Sequence, residues 1–157
     1  MYLNLGVSFY ISEMMSLSNA AQSTTMTIEG CTSGRCVAAK AIDGNADTQS
    51  VTTKESRPWW VAELNKITQI KNIILYLDEH NFNQNRLMGF KIETSMTEGQ
   101  WEVCKGPYNV EKPINPHITT CENPTIAKYI RLSRQTSRGG RLAVVEVKIT
   151  RLSEGKH

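Results

Sequence analysis

From Trp59 onward, apolar residues recur at a period of two in short runs and never hold a helical period over ten residues. Residues 59–64 alternate, and residues 69–77 form a β-branched and aromatic run. In residues 90–94, Phe90 and Ile92 share one face while Lys91 and Glu93 share the other. Residues 129–132 and 142–149 complete the set, and polar loops such as 78–85 separate the runs. Upstream, residues 16–25 are small and polar and read as an irregular edge segment. Residues 30–36 are loop chemistry, and residues 37–42 offer one helical turn before the Asp43-Gly44 turn signal. The pattern predicts an all-β chain, an antiparallel β-sandwich or jelly roll.

Composition narrows the function classes. The 157 residues suit one domain, and 39% hydrophobic residues suffice for one core. No apolar run reaches 18 residues, so no membrane span is expected. A net charge of +3, with no long Lys/Arg block, argues against a nucleic-acid partner. The four cysteines, Cys31, Cys36, Cys104 and Cys121, contain no CxxC pair, and only His80, His117 and His157 could join them around zinc. Two disulfides are expected instead, a short loop closed by Cys31 and Cys36 and a longer one closed by Cys104 and Cys121. Four reduced thiols are the alternative. With the bridges, the protein is expected to be secreted or extracellular. Residues 1–13 have a modest apolar stretch but no basic n-region or cleavage site, so they make a poor signal peptide. The chain then reads as a mature fragment or one whose export sequence is missing. No Asn-x-Ser/Thr acceptor adds support for secretion.

Enzymatic motifs are lacking: there is no HExxH, no GxSxG and no P-loop, and no carboxylate pair stands out. Catalysis is therefore not expected. A different chemistry is concentrated in residues 41–48, Ala-Ile-Asp-Gly-Asn-Ala-Asp-Thr, where Asp43, Asn45 and Asp47 crowd oxygen atoms around Gly44. A hard cation such as Ca²⁺ needs such crowding, although no Glu follows at the position an EF-hand requires. An Asx-rich turn bonding its own backbone is the alternative.

This motif, then Pro58-Trp59-Trp60 with Leu64, then Arg86-Leu87-Met88-Gly89, then Leu142-Ala-Val-Val-Glu-Val147, resembles in order and type the F-type lectin (fucolectin) family. That family lies within the discoidin and coagulation factor C-domain-like superfamily. The similarity runs over residues 14–150, leaving 1–13 as an N-terminal extension and 151–157 as a C-terminal tail. It implies a β-jelly-roll whose loops at one end form a shallow sugar site, with a structural Ca²⁺ nearby. The implied Ca²⁺ ligands are the side chains of Asp43 and Glu146 and the carbonyls of Lys40, Asn45 and Val145, with an oxygen from Ser50 or Thr52. Glu146 needs a partner on its own account, since it stands inside the apolar run 142–149 and an unpaired buried carboxylate is costly. A shared cation or a salt bridge to Lys or Arg would answer that. Cys104 and Cys121 also fall where the family commonly has a disulfide.

The sugar site is where this chain departs from the resemblance. Fucose-binding members carry a His before Pro-Trp-Trp and an Arg-x-Asp-x4-Arg motif, whose donors take sugar hydroxyls beside an apolar platform. Here residues 49–57 hold no histidine. Anchored on Arg86, the motif places Glu79 at the first arginine and Asn81 at the aspartate. Phe82-Asn83 stands where adjacent cysteines often occur, so Phe82 is a candidate platform and His80 a substitute donor. A structural salt bridge for Arg86 and ordinary packing for Phe82 are the alternatives. Residues 134–141, with Arg134, Arg138 and Arg141 around two glycines, read as a solvated basic loop or an anion site.

These readings combine into a non-catalytic, secreted carbohydrate-recognition module with a structural calcium and a degenerate fucose motif. Its expected partner is a glycan or glycoprotein. The alternative is a discoidin-like adhesion domain gripping a protein or an anionic surface. Weak single-site lectins gain from multivalency, which a homo-oligomer would supply. Losing one charge-assisted donor costs about 1.5–3 kcal/mol, roughly 10- to 150-fold in affinity. Free L-fucose should therefore give little or no heat in titration calorimetry, and a sub-millimolar dissociation constant would refute this reading of the loop.

Overall fold

The period-two pattern that begins at Trp59 produces one strand of 18 residues where the sequence suggests two. The computed structural model describes residues 9–77, 87–110 and 114–155. Within them the strands are β1 (Phe9–Met15), β2 (Leu17–Gln22), β3 (Ser50–Val51), β4 (Trp59–Tyr76), β5 (Leu87–Ser95), β6 (Glu102–Val110), β7 (His117–Thr119), β8 (Thr125–Arg134), β9 (Ala143–Val144) and β10 (Glu146–Gly155). Two 3-10 segments, Glu29–Gly34 and Ala38–Ile42, precede β3. The pairings are antiparallel: β1, β10, β4, β8, β5 and β6 follow one another across the main sheet, β2 and β7 also pair with β4, and β3 pairs with β9. This is the antiparallel all-β architecture expected from the sequence.

β4 organises the sheet because its neighbours change along its length. Its first part carries β2 and β8, and its last part carries β10 and β7. Opposite β10, Asn72 pairs with Thr150 and Ile70 with Arg151, so Lys71 is one residue more than its partner strand supplies. A single inserted residue moves every later side chain to the other face. The buried set accordingly changes from Trp60, Ala62, Leu64 and Ile70 to Ile73, Leu75 and Leu77. Both sets enter the same core, with Phe90, Ile92, Ile130, Leu132 and Ile149.

The chain before β4 is fastened to that core through Trp60. A buried indole N–H needs an acceptor, and this one donates to the Ala38 carbonyl at 2.9 Å. The bond lays the Ala38–Ile42 segment over the core, which Ala38 and Ala41 join. At the other end of the chain, the apolar run 142–149 divides at Val145. Its amide donates to the Tyr76 carbonyl at 2.9 Å, between β9 on β3 and β10 on β4. β1 pairs with β10 from Phe9 opposite Gly155 to Met15 opposite Ile149, so the boundaries after residues 13 and 150 fall inside paired strands. Among the described residues, no helix is long and apolar enough to cross a membrane.

Both expected disulfides are present, Cys31–Cys36 and Cys104–Cys121, and no cysteine is free. The second ties β6 to the stretch before β8 across 17 residues, the first closes only 5. In the chain-entropy model these loops are worth about 3 and about 2 kcal/mol. Urea denaturation should rank the double serine variants in that order, and a reversed order would mean that loop length does not govern their contribution.

Candidate functional site

The loop that follows the Ala38–Ile42 segment is held by its own side chains. Asp43 Oδ1 accepts from the Asn45 amide at 3.0 Å, and Oδ2 accepts from Thr48 Oγ1 at 2.5 Å. Asn45 Oδ1 accepts from the Asp47 amide at 2.8 Å, and the Asn45 carbonyl from the Thr48 hydroxyl at 3.2 Å. Gly44 sits between them at φ 72°, a left-handed conformation that glycine adopts without strain. These bonds form an Asx turn. Desolvation opposes charge on Asp43, but the bonds from Thr48 and the Asn45 amide, with Lys40 nearby, hold its carboxyl below the usual carboxylate range.

Glu146 reaches this loop from the start of β10. Its Oε1 accepts from the Gly44 amide at 3.1 Å, across 102 residues of sequence. Its Oε2 is buried and has no hydrogen-bond partner. Burial, and then the facing Asp43 carboxylate, push the Glu146 pKa up despite the Gly44 amide and Lys148. Among the described residues no Lys or Arg lies within salt-bridge distance of it. The salt bridge considered from sequence is therefore absent there. The fold thus brings Asp43 and Glu146 together, as the resemblance implied. Lys40 and Val145 flank the pair in sequence, and Ser50 is buried with its hydroxyl 3.5 Å from the Val144 carbonyl. The Thr52 hydroxyl is engaged by the Leu142 amide and the Thr53 carbonyl. Among the described residues no cluster of three His, Cys, Asp or Glu side chains forms, so carbonyl and hydroxyl oxygens would have to complete any cation site.

The sugar-loop residues Glu79, His80, Asn81, Phe82 and Arg86 lie outside the described residues. Of the basic loop, Arg134 Nη1 donates to the Arg141 carbonyl at 2.8 Å, and burial lowers the Arg134 pKa. That guanidinium helps to hold the loop together. Sequence reasoning missed a second polar centre. Glu93 lies on the face opposite Phe90 and Ile92, as the alternation predicts, yet it is only 3% exposed. Arg131 Nε and Nη2 donate to it at 2.9 and 2.6 Å, and Ser133 Oγ at 2.8 Å. Desolvation works against its charge, but these donors outweigh it and hold the Glu93 pKa down. The signal was present as Arg131 and Ser133 at alternating positions in 129–134, and only the β5–β8 register places them beside Glu93.

A family model described as the F5/8 type C domain matches residues 19–147. No curated protein matches the sequence. Among solved structures, the family 32 CBM from C. perfringens NanJ, in complex with galactose, has a TM-score of 0.66 at 17% identity, covering 89% of this chain and 99% of that one. A Streptococcus pneumoniae fucose binding module has a TM-score of 0.64 at 18% identity, covering 83% and 91%. A fucolectin from the serum of striped bass, Morone saxatilis, has 0.66 at 18% identity, covering 85% of this chain and 46% of that one. These likenesses establish the fold.

The Glu146 geometry has a pH signature. A carboxyl whose pKa is raised on folding destabilises the folded state at pH above that raised value. The penalty disappears as pH falls toward the unfolded value, because the folded state then binds the extra proton. In a chelator, Glu146→Gln should therefore match or exceed the wild-type melting temperature at neutral pH and lose the advantage near pH 4. Destabilisation at neutral pH in chelator would show that the charged carboxylate has a stabilising partner.

Proposed function

The chain is a member of the F5/8 type C domain family, and on that premise we propose that it is a non-catalytic, secreted carbohydrate-recognition module with a structural calcium. The observation that carries the reading is the shared fold. Modules solved with galactose or described as fucose-binding align over more than four-fifths of this chain. Sugar contact would run through the loop 78–86, with Arg86 and His80 as donors, Phe82 as an apolar platform, and Glu79 and Asn81 in place of the fucose motif. The two disulfides support an oxidising compartment.

The unpartnered Glu146 Oε2, buried against a second carboxylate, fits a cation. Asp43 and Glu146 would hold Ca²⁺ by their side chains, Lys40, Asn45 and Val145 by their carbonyls, and Ser50 by its hydroxyl. The ion would neutralise the two carboxylates and fix the 43–48 loop to the start of β10, without touching sugar.

A glycan array tests the function directly. Binding to one or more glycans is expected. Silence there, with capture by a protein or an anionic surface, would favour the adhesion reading. The metal has its own test. Calcium at 100 times its dissociation constant should stabilise the fold by about 2.7 kcal/mol, which is roughly 5–10 °C for a chain of this size. Asp43→Ala should abolish the shift, and a melt indifferent to calcium and chelator would remove the ion from the account.

A further inference from the structure

The ladders align the outward side chains of β2, β4, β8 and β5 in rows. Val61 stands between Ala21 and Arg131, with Glu93 beyond, and Glu63 stands beside Tyr129, with Ser95 beyond. The opposite face holds the core residues Trp60, Ala62, Ile130 and Leu132. An outward sheet face is ordinarily a solvated set of single polar side chains, whereas this one is a fixed assembly. Glu93, nearly inaccessible, grips Arg131 by two N–H groups, and the guanidinium lies 4.7 Å from the centre of the Trp101 ring. Trp101 arrives from the turn joining β5 to β6. Across the groove, Asn19 takes a left-handed φ of 50° where β2 leaves register, and its amide donates to Glu63 Oε2 at 2.8 Å. Lys128 stands 3.5 Å from Glu63 Oε1. Between these two arms lies a depression of ≈ 390 Å³ with Trp59, Val61 and Tyr129 also on its walls. Ligand clefts run from about 300 to 1,000 Å³.

A buried ion pair contributes little net stability. What Glu93 supplies is orientation: with two of the five guanidinium N–H donors engaged, three remain for a ligand. We infer that this groove is a second saccharide-binding surface, taking a neutral oligosaccharide laid along the sheet. One sugar ring packs against Trp101 or Trp59, and hydroxyl groups meet Arg131, Glu63 and Asn19. A neutral ligand follows from the charges, since Lys128 pairs with Glu63 and Arg131 and Lys91 pair with Glu93, while Glu98 adds a carboxylate to the wall that disfavours an anionic sugar. The groove's lining residues are distinct from the loop 78–86 proposed for sugar contact. It rests on the reading of the chain as a carbohydrate-binding module.

Tryptophan fluorescence tests it, since Trp60 is fully buried and Trp59 and Trp101 are the groove's reporters. The probes are cellohexaose, mannohexaose and a galactan hexasaccharide, with hexagalacturonate as the charged comparison. At least one neutral probe should shift the emission saturably, and hexagalacturonate should bind more weakly. Trp101→Ala should weaken the neutral probe at least tenfold. Asn19→Gly, which keeps the left-handed backbone and removes the amide, should weaken it several-fold with an unchanged melting temperature. Wild-type affinity in both variants, or binding without an emission change, would place the sugar elsewhere and overturn the groove while leaving the module reading intact. No binding to these probes, with glycans still captured on an array, would do the same, and silence on both would overturn the two readings together.

Discussion

The hydrogen bond from the Trp60 indole to the Ala38 carbonyl joins two parts of the molecule that otherwise have separate reasons to exist. Trp60 is where the longest strand enters the core, and Ala38 begins the short helical segment whose exit residue is Asp43. An indole buried so completely must find an acceptor or lose the bonds it had in water. Meeting that need with a backbone carbonyl fixes the position of the 43–48 loop relative to the sheet. The start of β10 packs against the same core through Val147 and Ile149. Glu146 therefore meets Gly44 because both are registered to one tryptophan-centred core.

Two glutamates show how environment, more than burial itself, decides protonation. Glu93 and Glu146 are both nearly inaccessible. Glu93 receives a bidentate guanidinium and a hydroxyl, so its charged form is favoured. Glu146 receives one amide on one oxygen and faces another carboxylate, so its neutral form gains. The first arrangement is complete within the chain. The second has an oxygen left over.

Much of the strand content was legible because period-two patterning is a local property. Residues 90–94 and 129–132 fall in β5 and β8, and residues 37–42 hold the anticipated helical turn. The failures have physical causes. Residues 65–67 are exposed and polar enough to look like a break, yet they form an irregularity inside β4. Residues 16–25 looked irregular because the sequence of β2 is small and polar, and its ladder with β4 supplies what its composition lacks. β6 carries no clear strand pattern in the sequence, since Gly106-Pro107 interrupts the run that Val103 and Cys104 begin. The meeting of Asp43 with Glu146 came from a resemblance. The Glu93–Arg131–Trp101 cluster depends on the β5–β8 register and on a turn folding back, which no local pattern records.

The pairing of Phe9 with Gly155 has a mechanical consequence. β1 and β10 are antiparallel, and their outer ends lie side by side at the same end of the ladder. Tension applied through both flanking segments would pull across the hydrogen bonds and open them one pair at a time, as a zipper opens, instead of shearing seven pairs together. The domain would yield to stretching from that edge at low force while the disulfide between Cys104 and Cys121, far along the chain, stayed unloaded.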